Sequence, residues 1–288
     1  MARQKRKLHK SLTAVGVACL MLFTPSVSLA WGPEAHKIIA YIAFDDELKP
    51  AAKREILKLL NLSPKSKPSA LEQAFVNAST WADDIKLTRP EFNSEHFIDR
   101  PFPTDGTPPE PNVVTALNKN LKLLQTSPDK NVRLEALKFI IHYVGDIHQP
   151  LHCATRTSAQ YPNGDAGGNT FQVMVADTGG KLRTISLHSY WDRGLDSFSL
   201  STFTIPQAAS VAAKLYDKED IPRRDADPFS FSVWADESFK LAPELYVGVA
   251  EGGRVSVSYR SKATKLMNLR LAKAGFRLGH LLNTIWPR

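Results

Sequence analysis

NVRLEALKFIIHYVGDIHQPLH, residues 131–152, is the stretch whose reading decides the fold. Leu134, Leu137, Phe139, Ile140, Ile141 and Val144 recur at helical spacing and mark an internal helix over 131–148. Pro150 then ends or kinks it, because proline lacks the amide hydrogen and clashes with the preceding turn. Two polar residues interrupt the apolar surface, His142 and Asp146. Four residues apart, they share a helix face, so the pair can converge on one ion or on two neighbouring ions. His152 lies beyond the proline, where the redirected chain can turn it toward a second ion.

Working outward, most of the chain carries the same helical period. Residues 33–48 hold Ile38, Ile39, Ile42, Ala43 and Leu48, opened by Pro33 in the first turn. Residues 50–60, 70–85 and 112–125 repeat the pattern, with a loop at 101–111 marked by five prolines. The character changes over 153–187: Gly164, Gly167 and Gly168 make a loop, and 171–175 with 182–185 reads as a hairpin around Gly179-Gly180. Helix returns at 186–193, 205–216, 228–246 and 260–285. With no internal repeat and no linker, the expectation is one mainly α, multi-helix domain with a small β-hairpin insertion.

The first thirty residues differ in kind. Arg3, Lys5, Arg6, Lys7 and Lys10 form a basic head, 11–23 an apolar middle, and Ser28-Leu29-Ala30 a small-x-small cleavage site, the pattern of a secretory signal peptide. Cleavage after Ala30 leaves a domain of residues 31–288, secreted or periplasmic. It also frees the α-amine of Trp31, five residues before His36. Formal charge falls from +8 to +3, since the signal holds five Lys/Arg and no Asp/Glu. The basic balance of the whole chain is therefore weak support for nucleic-acid binding. Cys19 leaves with the signal and only Cys153 remains, which excludes an internal disulfide. No other run is long and apolar enough to span a membrane.

Histidine and aspartate usage points to metal. The unit His142-x3-Asp146 recurs as His188-x3-Asp192, and Asp83 and His96 stand in Trp81-Ala-Asp83-Asp84 and Glu95-His96-Phe97-Ile98-Asp99. Imidazole with carboxylate and without thiolate suits a catalytic zinc site better than a structural one. His148 and His280 have no carboxylate at ligand spacing and are read as structural.

The ordered set Trp31-x4-His36, Trp81-Ala-Asp83, His96-Phe-Ile-Asp99, His142-x3-Asp146-x5-His152, Gly164-Asp-x-Gly-Gly-Asn169 and His188-x3-Asp192 resembles the three-zinc single-strand-specific nucleases. These are the fungal nuclease S-one/P-one family with its plant and bacterial relatives, and the strongly basic signal looks bacterial. The resemblance implies the zinc phospholipase C/nuclease type of fold and three zinc ions. Asp83, His96, His142 and Asp146 would hold one. The amine and carbonyl of Trp31, with His36 and a bridging Asp146, would hold its neighbour. His152, His188 and Asp192 would hold the third. It further implies hydrolysis of single-stranded DNA and RNA to 5′-nucleotides, often with removal of 3′-phosphates, by a monomer without a stable protein partner. Asp83 and Asp146 would be catalytic through the metal cluster. Phe97 would stack on a base whose edge Asp99 and Asn169 bind, although a core aromatic beside a ligand is an equally open reading of Phe97. Lys86 is placed to contact phosphate.

The chemistry is consistent with that family. A paired metal site lowers the pKa of a bound water to roughly 7, and a third ion can carry the charge developing on the 3′-oxygen. No protein nucleophile is then needed. Imidazole and amine ligands bind metal only when deprotonated, so binding is expected to fall in acid. Two other readings stand. A zinc phospholipase C shares the fold, the N-terminal Trp and most ligands, but that branch usually has Glu where this chain has Asp192, and the 164–169 loop with Phe97 favours the nuclease branch. A non-catalytic, zinc-stabilised binding protein fits poorly with so many ligands.

Overall fold

Prolines and short polar side chains set where the helices begin. The computed structural model describes residues 31–104, 106–177, 179–197, 204–219 and 230–287, so the expected signal, 1–30, lies outside the described residues. Helices α1 (Pro33–Ile42), α2 (Pro50–Leu59) and α3 (Pro68–Ala78) each open on proline, whose fixed φ and missing N–H suit the first turn. α4 is Trp81–Ile85. α5 (Val113–Thr126) starts from a reciprocal cap between Asn112 and Thr115, and α6 (Lys130–Asp146) from the Asp129 carboxylate. Serine or threonine caps begin α7 (Leu187–Asp192), α8 (Ile205–Lys218), α9 (Phe231–Leu241) and α10 (Val257–Ile285). The protein is mainly helical.

α6 is the helix around which the others gather. α1, α3, α4, α5 and α10 all pack on it, and from Phe139 to Asp146 every residue is buried. The hydrophobic core is one continuous cluster reaching from Trp31 to Leu282. α10 approaches α1 closely at two glycines. A Cβ on Gly275 would lie 2.6 Å from Ile42 Cβ, and one on Gly279 would lie 2.3 Å from Glu47 Cβ. There α1 runs into a wide π turn, Ala43–Glu47, so the helix expected over 33–48 changes its winding where α10 presses on it.

Other departures from the expected elements have local causes. The helix expected over 70–85 breaks between α3 and α4, where the Ser79 hydroxyl donates back to the Val76 carbonyl (2.6 Å). The proline-rich loop contains a two-residue strand, β1 (Pro101–Phe102), paired parallel with β2 (Thr155–Arg156), too short to leave a periodic signal. The hairpin has β3 (Gln172–Ala176) antiparallel to β4 (Leu182–Ser186), Val173 facing Ile185. The helix expected over 228–246 divides at Pro243 into α9 and a 3-10 turn, Ala242–Tyr246.

A buried ionic cluster fixes the turn after α6. Arg277 donates from two nitrogens to Glu237 of α9 (both 2.8 Å), with Lys273 at 3.1 Å. Arg270 donates to the His148 carbonyl (2.9 Å) and the Ser238 hydroxyl (2.7 Å). His148 is fully buried, its Nδ1 2.7 Å from the Val144 carbonyl and its Nε2 3.1 Å from Arg277. Burial and the two guanidinium groups hold it well below its ordinary pKa, so it is a neutral structural residue.

Candidate metal centre

α6 delivers His142 and Asp146 into a fully buried space between α1, α4 and the 3-10 turn Pro90–His96. Asp146 faces two ways. Its Oδ2 lies 3.0 Å from His96 Nδ1 and 3.2 Å from His142 Nε2, and its Oδ1 lies 3.3 Å from His36 Nε2. Asp83 of α4 completes this side, with Oδ1 3.8 Å from His142 Nε2 and 3.9 Å from His96 Nδ1. His36 of α1 stacks on His142 at 3.8 Å between ring centres. Gly145 admits it, since a Cβ there would meet His36 Nδ1 at 2.7 Å.

A second cluster forms where the turn after Pro150 meets α7. His188 Nε2 lies 3.2 Å from His152 Nε2 and 3.1 Å from Asp192 Oδ2. The structure thus brings ligand atoms together in three buried groups: His36, His142 and Asp146; Asp83, His96 and His142; and His152, His188 and Asp192. Within each group they all lie within 4.8 Å of one another. The first two share His142. Trp31 is buried in the core, and the next peptide is tied to the third group, Gly32 N–H donating to the Asp192 carbonyl (2.7 Å).

These donors fit a metal ion better than they fit one another. His142, His152 and His188 each place Nδ1 against a backbone carbonyl: Ser79 (2.7 Å), His96 (2.9 Å) and Gly167 (2.8 Å). A carbonyl only accepts, so Nδ1 carries the hydrogen, and in the neutral imidazole, the form that binds metal, Nε2 presents a lone pair. In the third group two such lone pairs and a carboxylate oxygen converge, which is repulsive without a cation between them. Both ring nitrogens of His36, Nε2 of His96 and Oδ1 of Asp146 are buried without a hydrogen-bond partner. Leaving one such atom unpaired costs about 1–3 kcal/mol, and here they cluster at one place.

The electrostatics carry the same demand for positive charge. Burial drives the carboxyl of Asp146 up, but the facing imidazoles of His142, His36 and His96 outweigh it and hold it well below the usual range. Asp192 is lowered likewise, burial being outweighed by His188 and His152. Burial lowers His152, yet Asp192 and Asp146 push it to about 9. Burial dominates at His96, which falls to about 4.

Three of the four residues expected to touch substrate are half-buried. Phe97 is half-buried, while its neighbours Phe92 and Ile98 are in the core. The extended segment around it is tied to the third group: Ile98 N–H donates to the His152 carbonyl (2.7 Å) and the His96 carbonyl faces His152 Nδ1. Asp99 is half-buried near His188 and His152, and desolvation raises its carboxyl to about 6. Asn169 is half-buried on the 164–169 loop, its amide donating to the Ala166 carbonyl (2.8 Å). Lys86, the fourth of these residues, is buried, with Nζ 2.6 Å from Asp83 Oδ1.

Sequence reasoning passed over two supporting residues. Asp165 lies inside the quoted Gly164–Asn169 motif and is fully buried. Its Oδ1 accepts from the Arg156 and Gly168 amides (2.9 and 3.0 Å) and its Oδ2 from Tyr246 (2.7 Å), which holds the loop whose Gly167 carbonyl orients His188. Gln149, in the opening stretch, donates to Asp192 Oδ1 (2.9 Å). An adjacent His-x-Pro context was the only signal for it.

A mainly helical chain with three buried groups of histidine and aspartate that could hold metal ions has the donor set of a metal-dependent hydrolase. Residues 31–287 match the family described as S1/P1 Nuclease, and the chain belongs to that family. It is 27% identical to Nuclease S1 of Aspergillus oryzae, over 93% of this chain and 96% of that one. Endonuclease 2 of Arabidopsis thaliana is 26% identical over 99% and 100%, and Nuclease P1 of Penicillium citrinum 25% over 88% and 97%. The protein is a nuclease, an enzyme that hydrolyses phosphodiester bonds. Among the described residues no helix is long and apolar enough to cross a membrane.

Proposed function

We propose that this nuclease is a zinc enzyme, exported and cleaved after Ala30, in which residues 31–288 form one domain that cuts single-stranded DNA and RNA to 5′-nucleotides and removes 3′-phosphates. The convergence of imidazole lone pairs and carboxylate oxygens in three buried groups carries this reading. Three zinc ions would be held by Asp83, His96, His142 and Asp146; by Trp31, His36 and Asp146; and by His152, His188 and Asp192. Zinc, when bound, supplies Lewis-acid polarisation of a phosphoryl oxygen and activation of water near neutral pH.

The chain's own residues do the rest. Asp146 turns one oxygen toward each of two groups, so a single carboxylate sets their separation. The Ser79, His96 and Gly167 carbonyls fix the imidazole tautomers. Phe97 offers a half-exposed ring on which a base can stack, worth about 1–3 kcal/mol and available only when bases are unpaired. Asp99 and Asn169 offer hydrogen bonds to its edge. The family match beginning at Trp31 supports cleavage before that residue and its free amine as a ligand.

The test is to offer the protein that begins at Trp31 heat-denatured DNA, RNA, duplex DNA and phosphatidylcholine, with and without a zinc chelator. Faster cleavage of the unpaired strands, abolished by chelator and much weakened by one extra residue before Trp31, is expected. Preference for the phospholipid would overturn the reading in favour of a phospholipase.

A further inference from the structure

Gln149 is fully buried in the turn between α6 and Pro150, and its amide has only one possible orientation. The Leu151 amide N–H lies 2.7 Å from Oε1, and since an N–H can only donate, that atom must be the oxygen. Nε2 is thereby aimed at Asp192 Oδ1, 2.9 Å away. This is the donor aligned on that oxygen among the described residues. His152 Nε2 is 3.6 Å off, beyond hydrogen-bonding distance. Asp192 therefore turns its other oxygen, Oδ2, toward His188, 3.1 Å away.

Asp83 is held differently. Its Oδ1 meets the charged Lys86 ammonium, which withdraws part of the negative charge offered to a cation. Gln149 holds Asp192 with a neutral donor, which fixes direction while leaving the full carboxylate charge. The same side chain also caps the short 3-10 turn Pro150–Cys153 that carries His152. It thus couples two ligands of one group that come from separate parts of the chain.

We propose that Gln149 is the positioning residue of the third metal group, setting the affinity of the ion shared by His152, His188 and Asp192 by fixing which oxygen Asp192 presents. This rests on the zinc reading above. Gln149→Met keeps length and volume but removes the donor, and Gln149→Asn keeps an amide too short to reach both partners.

The measurement is zinc released per chain against rising chelator, on the chain beginning at Trp31, with melting temperatures of metal-free and zinc-loaded protein. One ion should leave each variant at 10–100-fold lower chelator strength, the usual effect of losing such a supporting contact, with the other ions unmoved. The rise in melting temperature on adding zinc should shrink in parallel. If both variants hold every ion as the parent does, or lose equal melting temperature with and without zinc, Gln149 is merely structural and the proposal falls. Should Gln149→Met fail to fold, Gln149→Asn decides. A parent that binds no zinc overturns the underlying reading instead, so the two failures are distinguishable.

Discussion

At Gly145 the missing side chain is filled by a neighbour, the imidazole of His36. Alanine normally favours a helix interior by about 1 kcal/mol over glycine, yet here a Cβ would stand 2.7 Å from Nδ1 and 2.9 Å from Cε1 of a ring packed against His142. Gly145→Ala is expected to displace His36 and lower zinc content while leaving helicity intact, as circular dichroism with metal analysis would read. Asp146→Asn removes the charge facing His36, His96 and His142. Hydrolysis of single-stranded DNA should fall by at least about a hundredfold, beyond the effect usual for outer contacts. At this scale the sequence was informative about ligand types, since a His and an Asp four apart on a helix share a face. It was silent on Gly145, Ser79 and Gln149. Their roles depend on what packs opposite them, which no local spacing records.

Among the elements, α9 and α10 are joined by charge as much as by packing. Burial raises the carboxyl of Glu237, but Arg277, Lys273 and Arg270 outweigh it and hold it at about 2. Its folded pKa is depressed, so its stabilisation is present above the unfolded value near 4.5 and is lost as pH falls toward 2. Glu237→Gln should be less stable than the parent at pH 7 in urea unfolding, and the gap should close between about pH 4.5 and 2. The 164–169 loop depends on a second buried carboxylate. Tyr246→Phe leaves Asp165 Oδ2 without its donor, at about 1–3 kcal/mol, and should raise KM for single-stranded DNA more than it lowers kcat. Helices, hairpin and loop were legible because each carries its own period or glycine cluster. The break at Ser79–Thr80, the π turn over 43–47 and the pairing of β1 with β2 were not, because tertiary contacts decide all three.

The whole molecule is organised so that one apolar helix presents its polar residues to the middle of the bundle, where other elements deliver their own. Among the described residues Cys153 is a free, buried thiol and no disulfide is available, so on the zinc reading proposed above bound metal is the cross-link. An ion present at a hundred times its dissociation constant stabilises by about 2.7 kcal/mol. Chelation should therefore lower the melting temperature by roughly 10 °C or more if three ions are lost. The most direct measurement returns zinc stepwise to chelated protein beginning at Trp31, following bound zinc per chain and cleavage of heat-denatured DNA together. The account predicts no cleavage without metal and a rate that climbs until three ions are bound. Cleavage that persists in the metal-free protein, or full zinc binding without hydrolysis, would contradict it.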